Sequence, residues 1–180
     1  MPGFSYYHEY ITKEQEDNLI KIIDSAPWLL ALSRRVQHYG YRYDYKKRYL
    51  NLDNYLGPFP NWLNNICEKL SGEGIFNQIP DQVIINEYLP GQGISSHIDS
   101  IDAFGNTICS LSLNSAIVID FIKDEKISYL LEPRSLVVLK NDARYLWTHS
   151  IAARKKDKYN GVAFARRRRI SMTFRTILTY

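Results

Sequence analysis

The spacing of apolar positions changes near Pro80. Before it, Leu19, Ile20, Ile22 and Ile23 recur with a helical period behind Thr12-x-x-Gln15. A threonine hydroxyl and a glutamine three residues on can satisfy each other's free amides. A helix is therefore predicted to begin after Thr12 and to end before Pro27. Leu63, Ile66, Cys67 and Leu70 predict a second short helix, with Pro60 as its first residue and Gly72 at its end. After Pro80 the runs become short and β-like: Val83–Ile85, Ile108–Leu113, Ala116–Ile122, Ile127–Leu131, Leu136–Leu139 and Ile170–Leu178. Turn-forming stretches such as Pro90-Gly91-Gln92-Gly93 and Glu132-Pro133 separate them. The pattern predicts a mainly β fold with N-terminal helices, closed as a sandwich or barrel, of which the jelly roll is the common two-sheet form. Residues 1–180 read as one domain, with the helices over about 1–80 and the β core over about 81–180. Lys155–Arg168 reads as a mobile polar loop.

Composition adds limits. The apolar runs are too short to span a bilayer, and no secretory leader precedes the first helix. Cys67 and Cys109 make no disulfide framework and fit a reducing compartment, so a cytoplasmic or nuclear setting without membrane attachment is expected. The net charge of +4 conceals a segregation. Arg34–Arg48 holds six cations against Asp44, and Arg154–Arg169 holds eight against Asp157. These segments total +12, so the remainder carries −8. Two basic segments on an acidic body form the pattern of a surface that meets a polyanion. In the first, Tyr39, Tyr41, Tyr43 and Tyr45 alternate with Gly40, Arg42 and Asp44. On a strand all four rings would share one face, either stacking on bases or packing on the core.

Candidate chemistry lies in the strands. His97-Ile98-Asp99 would aim an imidazole and a carboxylate to one side of a strand. His149, fifty positions after Asp99 and expected just past a strand, is the candidate third ligand. Two histidines and one carboxylate with open positions form the facial site of non-haem Fe(II) oxygenases. In the last run, Arg169, Ser171, Thr173 and Arg175 share a face opposite Ile170, Met172, Phe174 and Thr176. Two guanidinium groups on the inner face of an apolar strand call for buried anions, and a dicarboxylate cosubstrate would supply them.

These residues, with Asn86-Glu-Tyr88, resemble the AlkB family of Fe(II)/2-oxoglutarate dioxygenases. The resemblance implies a double-stranded β-helix (jelly roll) using Fe(II), 2-oxoglutarate and O2. It implies that His97, Asp99 and His149 hold the metal and that Asn86, Tyr88, Arg169, Arg175, Ser171 and Thr173 line the cosubstrate site. It also implies that Arg175 pairs with the distal carboxylate while Arg169 lies near Asp99. Within the family, Asn86 through Asp99, Ser110-Leu-Ser-Leu113 and Arg144-Tyr-Leu-Trp-Thr-His149 look like the oxygenase domain of the tRNA wobble-uridine hydroxylase branch. Arg34-Arg35-Val36 with Tyr39-Gly40-Tyr41 is similar to that branch's substrate lid, making Arg34, Arg35, Tyr39, Tyr41 and Arg42 candidate substrate contacts. The implied partner is nucleic acid, tRNA first. A further protein would supply tRNA binding or methyltransferase activity, because neither an RNA-recognition nor a methyltransferase domain appears in these residues. The alternatives are an oxidative demethylase repairing N-alkylated DNA or RNA bases and a metal-binding, RNA-binding jelly roll without catalysis.

Overall fold

A computed structural model describes residues 1–30, 33–43 and 52–178. In chain order the elements are β1 (Phe4–Tyr7), α1 (Lys13–Ser25), β2 (Val36–Tyr39), α2 (Asn61–Gly72), β3 (Gln82–Tyr88), β4 (Ile94–His97), β5 (Phe104–Leu113), β6 (Ile117–Ile122), β7 (Lys126–Leu131), β8 (Leu136–Leu139), α3 (Asn141–Tyr145), β9 (Thr148–Ile151), β10 (Lys156–Tyr159), β11 (Val162–Ala165) and β12 (Arg169–Ile177). A six-stranded antiparallel sheet has the order β1-β8-β5-β12-β3-β2 and a four-stranded one the order β4-β9-β6-β7. The β10–β11 ribbon stands apart from both.

The larger sheet separates two cores through its pleat. Val83, Ile85, Cys109, Leu111, Met172 and Phe174 point to one face and are covered by Leu19 and Ile23 of α1 and Leu63, Cys67 and Leu70 of α2. The alternate residues Ile108, Val137 and Leu139 point to the other face, toward Ile117, Phe121, Leu131 and Ile151 of the smaller sheet. The two facing sheets are the jelly roll, and the second core is where polar chemistry is inserted.

Both expected helices form. Thr12 Oγ1 accepts from the Gln15 amide at 3.2 Å, while Gln15 Oε1 accepts from the Thr12 amide at 2.8 Å, closing the capping box. Pro60 is the cap of α2 rather than its first residue. The N-terminal part also supplies the two outer strands of the larger sheet, β1 beside β8 and β2 beside β3, so the β architecture is not confined to residues past 80. Among the described residues no helix is long and apolar enough to cross a membrane.

Two expectations fail for identifiable reasons. Lys155–Arg168 is not a loose loop: it forms β10 and β11, and buried Asp157 ties it down by accepting from Arg154 Nε at 2.6 Å and Arg166 Nε at 2.7 Å. The tyrosine ladder also breaks. Gly40 has φ +74°, and a Cβ there would sit 1.9 Å from the Asp81 carbonyl oxygen, so only glycine turns the chain at this point. Past that turn the period-2 register of β2 is lost. Tyr39 packs edge-on against Trp62 on the helical side. Tyr41 and Tyr43 belong to the second core, the latter 5.4 Å from the Phe104 ring. Tyr45, with Asp44, Lys46, Lys47 and Arg48, lies outside the described residues.

Candidate metal centre and anion pocket

Strand pairing assembles the metal-ligating side chains. His97 ends β4 and stands directly opposite His149 of β9, with ring centroids 4.4 Å apart. His149 therefore lies within a strand, not beyond one, and the preceding residues form the short helix α3. Asp99, just after β4, brings Oδ1 to 3.5 Å from His97 Nε2. One ligand atom from each of the three lies within 4.8 Å of the others, which suits a single ion. His97 Nδ1 is 2.7 Å from the Ser95 carbonyl oxygen. That oxygen can only accept, so Nδ1 carries the proton and the Nε2 lone pair is free on the side of Asp99.

Electrostatics suit these groups to a cation. Burial pushes the Asp99 carboxyl up, but the Arg175 guanidinium, with His97 and His149, outweighs it and holds the group well below the usual carboxylate range. Burial lowers His149 to about 4, against the opposing pull of Asp99, so it is a neutral imidazole at pH 7. Neutral imidazoles and an ionised carboxylate are the forms that coordinate a divalent metal.

Behind the triad lies a cavity of about 840 Å³. The inner face of β12 forms one wall, and Arg169, Ser171, Thr173 and Arg175 all line it, as the strand pleat requires. Asn86 and Tyr88 line it from β3, the neighbouring strand. Ser110, which the sequence pattern does not single out for this wall, bonds Ser171 across β5–β12 at 2.8 Å.

The structure puts Arg175 where the resemblance implied Arg169, beside Asp99. Arg175, not Arg169, lies beside the metal ligand: its Nε donates to Asp99 Oδ2 at 3.1 Å and its Nη1 to Gln82 Oε1 at 3.1 Å. Arg169 is 2% exposed, and its guanidinium lies 5.4 Å from the Tyr88 ring centroid. Nη2 donates to Ser112 Oγ at 2.8 Å, but Nε and Nη1 are buried without a partner. Burial lowers Arg169 to about 10, which leaves it cationic at neutral pH. A buried cation with two nitrogens left without a partner needs an anion, and a carboxylate on either edge of the guanidinium can accept from one of them. This is the structural fit for one end of a dicarboxylate, with the metal triad at the other.

The expected substrate contacts divide. Arg34 reaches the cavity and donates from Nε to Asn86 Oδ1 at 2.9 Å. Arg35 is held by Glu87 at 2.5 and 2.7 Å and lies over the Trp28 ring. Arg42 is exposed. Tyr39 and Tyr41 do not line the cavity, whereas Tyr43 does. Glu87 also accepts from Arg168 Nε at 2.6 Å, and Arg168 pairs again with Asp24. Arg166 and Arg168 are thus structural cations rather than free phosphate contacts.

Arg144 has a role that its sequence position does not disclose. It is 2% exposed on α3 and donates to four backbone oxygens: Asp99 at 2.8 Å, Ser100 at 3.0 Å, Phe104 at 3.1 Å and Gly105 at 3.1 Å. A planar fork with five N–H groups can pin a loop in this way, which a point-charge ammonium cannot. The loop it pins carries Asp99. Arg144→Met is expected to weaken Mn(II) or Fe(II) binding about 10- to 100-fold, the usual effect of removing a group that orients a ligand. Arg144→Lys should restore part of it. Metal titration followed by calorimetry reads the outcome, and unchanged affinity in Arg144→Met would remove the assignment.

Comparison with known proteins agrees with this geometry. A family model described as the 2OG-Fe(II) oxygenase superfamily matches residues 28–175. Uncharacterized protein L905 of Acanthamoeba polyphaga mimivirus is 39% identical, covering 98% of the chain and 85% of that protein. The tRNA (carboxymethyluridine(34)-5-O)-methyltransferase ALKBH8 of Mus musculus is 40% identical over 87% of the chain, which spans only 25% of that protein. Among solved structures, OsALKBH1 superposes with a TM-score of 0.75 at 16% identity, covering 98% of this chain and 97% of that one.

Proposed function

The chain belongs to the 2OG-Fe(II) oxygenase superfamily and is of the AlkB type; on that premise we propose that it hydroxylates an alkyl side-chain carbon on a modified wobble uridine of tRNA. It is an oxidoreductase whose cofactors are Fe(II), 2-oxoglutarate and O2. The observation that carries the substrate reading is the 40% identity to mouse ALKBH8 across 87% of the chain. The metal-ligating triad and both inner-face arginines fall within the span of the family match.

In this reading His97, Asp99 and His149 hold Fe(II), and Arg169 binds the distal carboxylate of 2-oxoglutarate with Tyr88 and Asn86 beside it. When bound, the iron and cosubstrate supply the oxidising chemistry: 2-oxoglutarate is decarboxylated to succinate, and one oxygen atom enters a C–H bond. The protein supplies position and a dry enclosure rather than a general base. Arg175 keeps Asp99 ionised and aimed at the metal. Ile119, Phe121, Leu131, Val137 and Leu139 exclude water from the inner wall. Ser171 and Thr173 offer hydroxyls along the floor between the two arginines. The target base must leave its stack, or come from a loop, to reach the cavity.

The test is to incubate the iron-loaded protein and 2-oxoglutarate with total tRNA and with N-methylated oligonucleotides. Digestion and nucleoside mass spectrometry should show a uridine derivative heavier by one oxygen. Formaldehyde release with loss of a methyl group would instead identify a demethylase. Succinate formation independent of either substrate would sink the nucleic-acid reading.

A further inference from the structure

The β10–β11 ribbon has two unlike faces. In its register Lys156 stands opposite Ala165 and Lys158 opposite Ala163, and all four are exposed. The alternate pair, Asp157 and Phe164, turns toward the body, with Asp157 buried. The Asp157 carboxylate also accepts from the Val118 amide at 3.0 Å. Its partner Arg166 donates from Nη1 to the carbonyl oxygens of Ala152 at 2.6 Å and Gln92 at 3.2 Å. Those residues adjoin Ile151 and Gly93, which line the cavity. The Gly91 amide donates to the Arg154 carbonyl at 3.1 Å. A lock of three charged side chains therefore holds the ribbon rigidly at the cavity's edge.

That lock sorts the basic segment. Arg154 and Arg166 are spent on Asp157, and Arg168 on Asp24 and Glu87. Lys155, Lys156, Lys158 and Arg167 are exposed, and among the described residues no carboxylate pairs with them. Lys156 and Lys158 lie two strand positions apart, about 6.6 Å, with only the small Ala165 and Ala163 beside them on the partner strand. Four solvated cations with no internal role, fixed beside the entrance to a substrate cavity, form a site for a chain of anions rather than for one anion.

We propose that this outward face, carried by Lys156 and Lys158 and flanked by the exposed Lys155 and Arg167, binds the sugar–phosphate backbone of the strand that delivers its base to the cavity. The inference rests on the nucleic-acid reading above and deepens it. Ammonium groups on a flat ribbon meet phosphates without reading bases, so the face positions the strand and leaves base selection to the cavity. The rigid mounting matters because a preorganised cationic surface orders less on binding.

The test is the affinity of the full chain for tRNA, read by fluorescence anisotropy across a range of KCl concentrations. Replacing all four residues by alanine should reduce the slope of log K against log salt by about 3, since each phosphate contact contributes about 0.7–0.9. At low salt the affinity should fall more than about tenfold. The melting temperature and 2-oxoglutarate affinity of the variant should match those of the wild type, because none of the four touches the cavity. A variant with arginine at Lys155, Lys156 and Lys158 should keep the slope. An unchanged slope in the alanine variant, with wild-type tRNA binding intact, overturns the ribbon's role alone. Absence of salt-dependent tRNA or DNA binding by the wild type overturns the nucleic-acid reading with it. Equal affinity for polyglutamate would assign the face to an acidic polypeptide instead.

Discussion

Arg169→Met is expected to abolish 2-oxoglutarate binding while leaving the metal-free protein as stable as the wild type or more so. The two effects have opposite signs because they arise from one cause. Arg169 is a buried cation whose Nε and Nη1 have no partner within the protein, and a buried charge without its counter-ion is destabilising. Replacing it by an apolar chain of similar length removes that cost. A bound carboxylate gives this guanidinium charge-assisted hydrogen bonds worth about 1.5–3 kcal/mol each. Their loss should raise the dissociation constant for 2-oxoglutarate at least about 100-fold. Calorimetric titration of the Mn(II)-loaded protein measures the affinity, and thermal unfolding without cosubstrate measures the stability. The wild type should also gain thermal stability from added 2-oxoglutarate, which the variant should not. Arg175→Met is expected to behave differently: it strips Asp99 of its counter-ion, so metal binding should weaken along with cosubstrate binding. If Arg169→Met keeps wild-type affinity while Arg175→Met alone loses it, the ends of the cosubstrate are reversed and Arg175 is the distal clamp that the resemblance implied.

His149→Ala should remove Fe(II) binding, because one of three protein ligands is lost from a site whose other two cannot enclose the ion. The expected drop exceeds about 100-fold, the upper end of what losing an orienting partner costs. It should be visible by metal titration without any turnover assay. A second readout comes from protons. Burial sets His149 at about 4 in the folded protein, below the ordinary value of 6.5. Between those values the unfolded chain binds a proton that the folded one refuses, so metal-free stability falls as pH drops from 6.5 towards 4. His38, also lowered by burial to about 4, adds to that slope. Denaturant unfolding of the metal-free wild type at pH 7 and pH 5 should therefore differ more than that of His149→Ala, by on the order of 1–2 kcal/mol. Identical pH dependence in the two proteins would show that the ring is not buried as a neutral base.

Short-range interactions make parts of the architecture legible in the sequence. Thr12 and Gln15 are three residues apart, so their capping box depends on nothing distant. Arg169, Ser171, Thr173 and Arg175 share a face because a strand alternates, whatever it packs against. The runs at Leu136–Leu139 and Ile170–Leu178 reappear as β8 and β12 almost unchanged, since a continuous or alternating apolar run in a two-sheet core has only one favourable conformation. The errors also have local causes: one glycine at positive φ ends the tyrosine alternation, and one buried aspartate converts an apparent loop into a ribbon.

Residue type and parity are therefore determined by the sequence itself: which side chains turn inward, that two arginines share a wall, and that a His-x-Asp pair awaits a third ligand. Partnership is decided by tertiary structure alone. The opposition of His97 to His149, the pairing of Arg175 rather than Arg169 with Asp99, the grip of Arg144 on the loop around Asp99 and the use of Arg166 and Arg168 inside the protein all depend on which strands become neighbours. An alternating pattern sets the face of a side chain through bonds one or two residues long. Its partner is set by the register between strands tens of residues apart, which emerges only when both cores are packed.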